Sequence, residues 1–317
     1  MEYRQLGRSS LQVSVVGLGT NNFGARLNDE SVAACIVATA LDNGINFIDT
    51  AGDYGKDRNC EQWIGRAIKG HRNEVLIGTK GGGRPVSDGT DDGTASPDNI
   101  RRAVDASLRA LDSDHVDLYQ VHRIDPATPI EDTLGVLDDL VQAGKIRAIG
   151  CSNFGADQLR ESVMTSRAQG VAEMVSEQPL YNMLDRTIEG AVLPAARELG
   201  MSILPFYPLA SGFLTGKYER GVAPASGSRL DLSPGQANLW LTDAHFDLLD
   251  ALSAFAEARE HTIAELAFAW LLSEPAIGSV IAGASRPEQV AANAKAGDWV
   301  LTAEERAEVG ALIDAGA

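Results

Sequence analysis

Short apolar, β-branched runs alternate with longer stretches whose apolar positions recur at helical spacing, from one end of the chain to the other. The first strong strand pattern is VSVVGLGT (13–20), followed by a helix opening at Ser31 and ending before Gly44. INFIDT (45–50) precedes a helix over 59–69, and EVLIGTK (74–80) leads through a glycine-rich loop to a helix opening at SPDN, with Ser96 as N-cap and Pro97 in the first turn. HVDLYQVH (115–122), IRAIGCSN (146–153) and MVSEQPL (174–180) are strands, each followed by a helix, over 130–143, 156–168 and 187–199. MSILPF (201–206) opens a long irregular segment. Helices over 244–259 and 262–273 then lead to a strand at GSVIAGA (278–284), a short helix from Pro287 and a last one from Ala303.

Eight strands, each followed by helix, imply a parallel sheet buried on both faces. Eight such repeats in 317 residues favour an α/β fold of the (β/α)₈ TIM barrel type over a doubly wound open sheet. No break in composition marks a linker, so residues 1–317 are expected to form a single domain. The hairpin pattern YRQLGRSSLQV has no place in a ring of eight, and it is expected to cap the barrel bottom.

Composition narrows the partners. A net charge of −17 and a pI near 4.7 oppose nucleic acid or an anionic membrane surface, which select basic patches. Cys35, Cys60 and Cys151 are odd in number and show no CxxC spacing, which suits reduced thiols in a cytoplasmic protein. The opening MEYRQLGRSS lacks an apolar signal core, and no window reaches membrane-spanning length. Several familiar motifs fail. GLGTNNFG has the wrong spacing for a dinucleotide fingerprint, and GFLTGKY is one residue short of a phosphate loop, with Tyr218 where Ser or Thr is required. No HExxH, cysteine pair or GxSxG is present, so neither metal nor a serine nucleophile is expected.

In a (β/α)₈ barrel, chemistry sits at the C-terminal ends of the strands. The second strand ends at Asp49 with Tyr54 just beyond, the third at Lys80 and the fourth at His122. Each alone has a plain structural role: a turn acid, a solvent-facing lysine, a core histidine, a packed loop aromatic. Together, at three consecutive strand ends, they allow a specific chemistry. A tyrosine, with an ordinary pKa of ~10, becomes a useful proton donor when a cation lowers it. Lys80 can be that cation, Asp49 can orient the lysine, and His122 can position an acceptor oxygen. Proton donation to oxygen beside a hydride donor is carbonyl reduction.

DTAGDYG, the lysine of IGTKGG, DLYQVH, GCSNF, PLASGFLTGKY and AGASRPEQVAAN resemble, in order, the signatures of the bacterial aldo-keto reductases. The resemblance spans LGTNNFG to LTAEE. It implies that Tyr54 is the general acid, Lys80 its activator, Asp49 the partner of Lys80, and His122 the group that orients the substrate carbonyl. It further implies that Ser152, Asn153 and Gln178 hold the nicotinamide carboxamide, although Ser-Asn at a strand end also fits an ordinary helix N-cap. PFYPLASG aligns Phe206 with the family's nicotinamide-stacking tyrosine and puts Tyr207 in place of a serine. Leu209, Ser211 and Lys217 are left for the phosphates, and Gly19 and Thr20 are counted with the cofactor-binding residues. Arg286, Gln289 and Asn293 match positions that read the 2′-phosphate and adenine, and Gly283 stands where some members have a lysine. The arginine fork favours NADP(H); NAD(H) stays open, as does a solvated helix-start role for Arg286.

The resemblance thus implies an NADP-dependent oxidoreductase acting on a small aldehyde or ketone, as a monomer or small homo-oligomer. Three segments are expected to shape the pocket: a mobile, polar loop over 81–96, residues 210–243 with Tyr218 and Trp240, and a short C-terminal tail. The alternatives are a cofactor-occupied binding subunit like the potassium-channel β subunits, and a barrel enzyme using its acids for isomerisation or lysis.

Overall fold

The computed structural model describes residues 1–316. Two short antiparallel strands come first, β1 (Tyr3–Gln5) and β2 (Gln12–Ser14). Eight parallel strands follow: β3 (Val16–Gly19), β4 (Phe47–Asp49), β5 (Leu76–Gly81), β6 (Val116–Val121), β7 (Ile146–Ser152), β8 (Met174–Gln178), β9 (Ser202–Ile203) and β10 (Val280–Gly283). They hydrogen-bond in the order β10-β3-β4-β5-β6-β7-β8-β9. The ring closes across its last seam, where the Ile203 amide donates to Ala276 O at 2.7 Å and the Ile281 amide to Pro205 O at 3.2 Å. This is a (β/α)₈ barrel.

Eight helices clothe the ring: α1 (Glu30–Asp42), α2 (Asn59–Ala67), α3 (Pro97–Leu111), α4 (Ile130–Gln142), α5 (Ala156–Gln169), α6 (Val192–Leu199), α9 (Ile263–Leu272) and α10 (Pro287–Ala296). Three more lie outside that repeat: α7 (Pro234–Trp240), α8 (Asp243–Glu257) and α11 (Ala303–Gly316), the last two packed on each other. The eight barrel helices turn apolar faces inward, burying Ile36 of α1, Ile64 of α2, Val104 of α3 and Leu137 of α4 against the outer faces of the strands. Among the described residues no helix is long and apolar enough to cross a membrane.

The departures from expectation have local causes. The run 13–20 is divided at Val15 between hairpin and barrel. Asp29, rather than Ser31, caps α1, accepting from the Ser31 amide at 2.9 Å. Ser96 occupies the N-cap position of α3 but makes no capping hydrogen bond. The helix expected over 187–199 divides into a 3₁₀ turn, Thr187–Gly190, and α6, which tolerates Pro194 in its first turn. The strand expected at 201–206 shrinks to two residues, stopping before Pro205. The pattern missed α7 and a 3₁₀ turn at Ala210–Thr215.

The barrel interior is layered. At the bottom, Phe47, Leu118 and Leu204 pack with Leu6, Leu11 and Val13 of the hairpin region. Phe47 fits because its neighbours are glycines: a Cβ at Gly78 would lie 2.9 Å from its ring, and one at Gly17 3.1 Å. The hairpin therefore caps the bottom, tied there by the Gly7 amide on Ser202 Oγ at 2.8 Å. Above this apolar layer the inward residues turn polar: Asp49, Lys80, Gln120 and Gln178, all buried.

Candidate active site

Strand register sets the first half of the site. Asp49 closes β4, where its carbonyl accepts from the Thr20 amide and hydroxyl, at 3.1 and 2.8 Å. Lys80 rises from β5 beside it, and its Nζ contacts both Asp49 carboxylate oxygens at 2.8 Å and Thr50 O at 3.0 Å. The chain then turns back: the Gly52 amide donates to Lys80 O at 3.2 Å and the Tyr54 amide to Ala51 O at 3.1 Å. That turn brings Tyr54 Oη to 3.3 Å from Lys80 Nζ. His122, just past β6, presents its ring edge-on to Tyr54, with centroids 6.3 Å apart. The four residues expected at the strand ends are together.

Their protonation follows from burial and neighbouring charge. Burial alone would lower Lys80, but Asp49 and Tyr54 outweigh it and hold the ammonium above its ordinary range. Burial likewise pushes the Tyr54 hydroxyl up to about 12, with Lys80 pulling down and Asp49 and Asp53 pushing up. This reverses the expected net direction: the lysine opposes the burial without overcoming it. The phenol is therefore protonated throughout the neutral range. Burial, then Lys80, Arg123 and Arg84, bring His122 down to about 3, so its imidazole is neutral. Asp53, absent from the sequence reading, lies 3.6 Å from His122 Nδ1, and burial raises its carboxyl.

On the β7–β8 side, Ser152 Oγ donates to Gln178 O at 2.7 Å, and Asn153, with φ at +63°, reaches both Ser152 Oγ and His122 O. Gln178 Nε2 donates to Asp49 Oδ1 at 2.8 Å, joining this side to the lysine cluster. Glu177, outward of the barrel, accepts the Phe154 amide at 3.1 Å. Burial lifts its carboxyl to about 7, against the pull of Cys151 and nearby amides.

These groups open into a cleft of about 710 Å³. Its wall includes Gly19, Thr20, Phe206, Tyr207, Leu209 and Ser211, and it continues past Lys217 to Gly283, Gln289 and Asn293. Segment 207–211 carries non-glycine residues at positive φ, namely Tyr207, Ala210 and Ser211, the kind of backbone strain that collects at functional sites. Ser211 Oγ donates to Gln236 Oε1 of α7 at 2.7 Å, and Gln289 Oε1 accepts from the Ser285 amide. Arg286 does not line the cleft; its exposed side chain lies 3.9 Å from Glu288. Tyr218 and Trp240 are buried packing residues. The loop over 81–96 is tied rather than loose: Asp91 accepts the Gly82 and Gly93 amides and the Asn99 side chain.

Sequence reasoning missed the basic lining. Arg26, Arg84, Arg123 and Arg229 all face the cleft. Among the described arginines with no acidic partner within 4.0 Å, they are joined only by Arg109. Arg229 stacks on Tyr207, 4.6 Å above the ring, and its buried Nε has no hydrogen-bond partner. Burial and the nearby Arg229 guanidinium lower the pKa of Arg26. Among the described residues no group of three or more His, Cys, Asp or Glu could hold a metal ion.

Comparison with known proteins agrees with this architecture. The family model for the aldo/keto reductase family matches residues 15–314. An uncharacterised oxidoreductase of Bacillus subtilis, YrpG, is 36% identical over 96% of this chain and 93% of its own. A probable voltage-gated potassium channel subunit beta of Arabidopsis thaliana is also 36% identical, over 95% of this chain and 92% of its own. Among solved structures, the holo form of the aldo-keto reductase AKR11C1 from Bacillus halodurans superposes with a TM-score of 0.80, at 32% identity, over 98% of this chain and 96% of its own. The chain belongs to the aldo/keto reductase family.

Proposed function

We propose that this protein reduces aldehydes or ketones to alcohols with NADP(H), using Tyr54 as the proton donor. The observation that carries the reading is the Asp49–Lys80–Tyr54 chain of contacts ending beside a neutral His122 in a large cleft. A nicotinamide dinucleotide suits the residues present. The orphaned Nε of Arg229, the unpaired Arg26 and Lys217 supply cations for its phosphates, and Gly19 and Gly283 leave a side-chain-free floor. When bound, the cofactor supplies hydride to the carbonyl carbon.

This chain's own residues do the rest. Tyr54 donates its proton to the carbonyl oxygen as that oxygen gains charge, and Lys80 stabilises the phenolate left behind. Asp49 fixes the lysine, and Gln178 and Gln120 in turn brace Asp49. His122, uncharged, offers a ring nitrogen to orient the carbonyl oxygen without competing for the proton. Ser152, Asn153 and Gln178 would hold the carboxamide, Phe206 would offer its ring face to the nicotinamide, and Leu209, Ser211, Gln289 and Asn293 would line the rest of the dinucleotide. We place the protein in the cytoplasm, with a small carbonyl compound rather than nucleic acid as its partner.

A second reading, a cofactor-holding subunit with little turnover, is favoured by the likeness to the plant channel subunit. A panel of aldehydes and ketones, run with NADPH and with NADH, separates the two by loss of nicotinamide absorbance. Turnover faster with NADPH supports the reductase. Tight NADPH binding without turnover on any substrate would move the protein to the second reading.

A further inference from the structure

The basic side chains of the cleft form two groups. Arg26 and Arg229 sit by Tyr207, within the part assigned to the dinucleotide phosphates. Arg84 and Arg123 belong to the loops after β5 and β6, beside His122 and Asp53. Both lack an acidic partner within 4.0 Å, in a chain with 44 acidic residues and a net charge of −17. The acids nearest in sequence are engaged elsewhere: Asp88 with Thr90 and Arg58, Asp91 with backbone and Asn99, Asp92 with Thr94 and Arg102, Asp125 with Thr128 and the Ala95 amide. Asp49 is neutralised by Lys80. Asp53 is the one carboxylate left on this part of the wall, and it faces His122.

The backbone beneath the two arginines is fixed although the side chains reach solvent. The His122 amide donates to Gly81 O at 2.9 Å and the Arg123 amide to Gly82 O at 3.2 Å, which carries the β5–β6 ladder past the strand ends. Between them Gly83 packs so closely that a Cβ there would lie 2.7 Å from His122 Cβ and 3.4 Å from Arg123 Cγ. Arg84 therefore leaves a turn pressed against His122, and Arg123 follows His122 directly.

We propose that Arg84 and Arg123 form an anion subsite beside His122, so that the preferred carbonyl substrate carries a carboxylate or phosphate a few atoms from its reacting carbon. This rests on the reductase reading and gives it a substrate class. Two forked cations bind such a group by charge-assisted hydrogen bonds, while the carbonyl lies between Tyr54 and His122. Their separation from Arg26 and Arg229 leaves the dinucleotide phosphates to other residues.

The test uses matched pairs with NADPH: 4-carboxybenzaldehyde against its methyl ester, and glyceraldehyde 3-phosphate against glyceraldehyde. The charged member of at least one pair should have the higher kcat/KM, mainly through KM, and the advantage should shrink as salt rises. Which pair shows it tells carboxylate from phosphate. In Arg84→Ala and in Arg123→Ala the ratio of charged to neutral kcat/KM should fall about fivefold. Ratios near unity in the unaltered enzyme, or ratios unmoved by both substitutions, would overturn the subsite. Should no aldehyde be reduced at all, the reductase reading fails on its own. The subsite is then read by titrating terephthalate into the NADPH-loaded protein: weaker binding in Arg123→Ala supports it, and equal or absent binding overturns it.

Discussion

The two sides of the cleft are prepared in opposite ways. Around Lys80 the charges are satisfied by the protein: Asp49, Thr50 O and Tyr54 surround one ammonium, and Gln178 and Gln120 brace the acid. Along the rim, Arg26, Arg84, Arg123 and Arg229 have no acidic partner within 4.0 Å, although Arg84 is near enough to Asp53 to pull its carboxyl down. The difference follows from location. A buried ammonium without a partner would lose its proton or destabilise the fold, so its geometry has to be complete before ligand arrives. Arg84 and Arg123 reach water and can remain uncommitted at little cost while still lending charge to a bound anion, whereas Arg229 keeps a buried Nε without a partner. Preorganised chemistry below, charges in reserve above: the arrangement suits an enzyme whose reacting groups are its own and whose anions come from outside.

Breaking the lower side should have the largest effect. Tyr54→Phe is expected to cut kcat for reduction by ~10²–10⁴ while NADPH affinity, measured by fluorescence titration, changes little. Unchanged turnover would remove Tyr54 from proton transfer. Glu177→Gln probes the interior carboxyl that lacks a countercharge. Its pKa is raised on folding, so the folded state holds the proton more tightly; stability is full below about 4.5 and is lost as pH rises through about 7. The variant, which has no such charge to bury, should therefore gain relative to the parent as pH rises across that window, by roughly 3 kcal/mol at pH 8. Parallel denaturation midpoints at all pH values would mean Glu177 is ionised without penalty.

On the rim the effects should be smaller and should depend on salt. Arg229→Ala is expected to weaken NADPH about tenfold and flatten the dependence of its Kd on ionic strength. An unchanged salt slope would place the phosphates elsewhere. Arg286 lies outside the cleft wall and close to Glu288. Arg286→Ala should weaken NADPH by about threefold and NADH hardly at all; equal weakening of both would show that it does not read the 2′-phosphate.

The sequence made the lower side legible because its parts sit at strand ends. Asp49, Lys80 and His122 each end an apolar run, and barrel geometry brings the ends of consecutive strands together. The rim was not legible in this way. Arg26, Arg84, Arg123 and Arg229 lie in four loops with no shared spacing, and they meet only once the ring has closed. The same holds for Gln236, whose role beside Ser211 depends on α7, a short helix in a segment with no apolar repeat to announce it. Strand length failed at β9, which keeps two residues because Pro205 has no amide to give the ladder, and pairing resumes only as an isolated bridge between Leu180 and Phe206.

The N-terminal hairpin bears on the chemistry as well as on the fold. Leu6, Leu11 and Val13 seal the barrel directly beneath Phe47, two residues before Asp49. With that floor in place, the ion pair of Asp49 and Lys80 is insulated from water below and meets it only through the cleft above. A chain beginning at Val16 would retain every residue of the proposed tetrad, yet it would let solvent rise through the bottom and soften the field that Tyr54 feels. The first fifteen residues, none of which lines the cleft, would then act on the reaction as its electrical insulation.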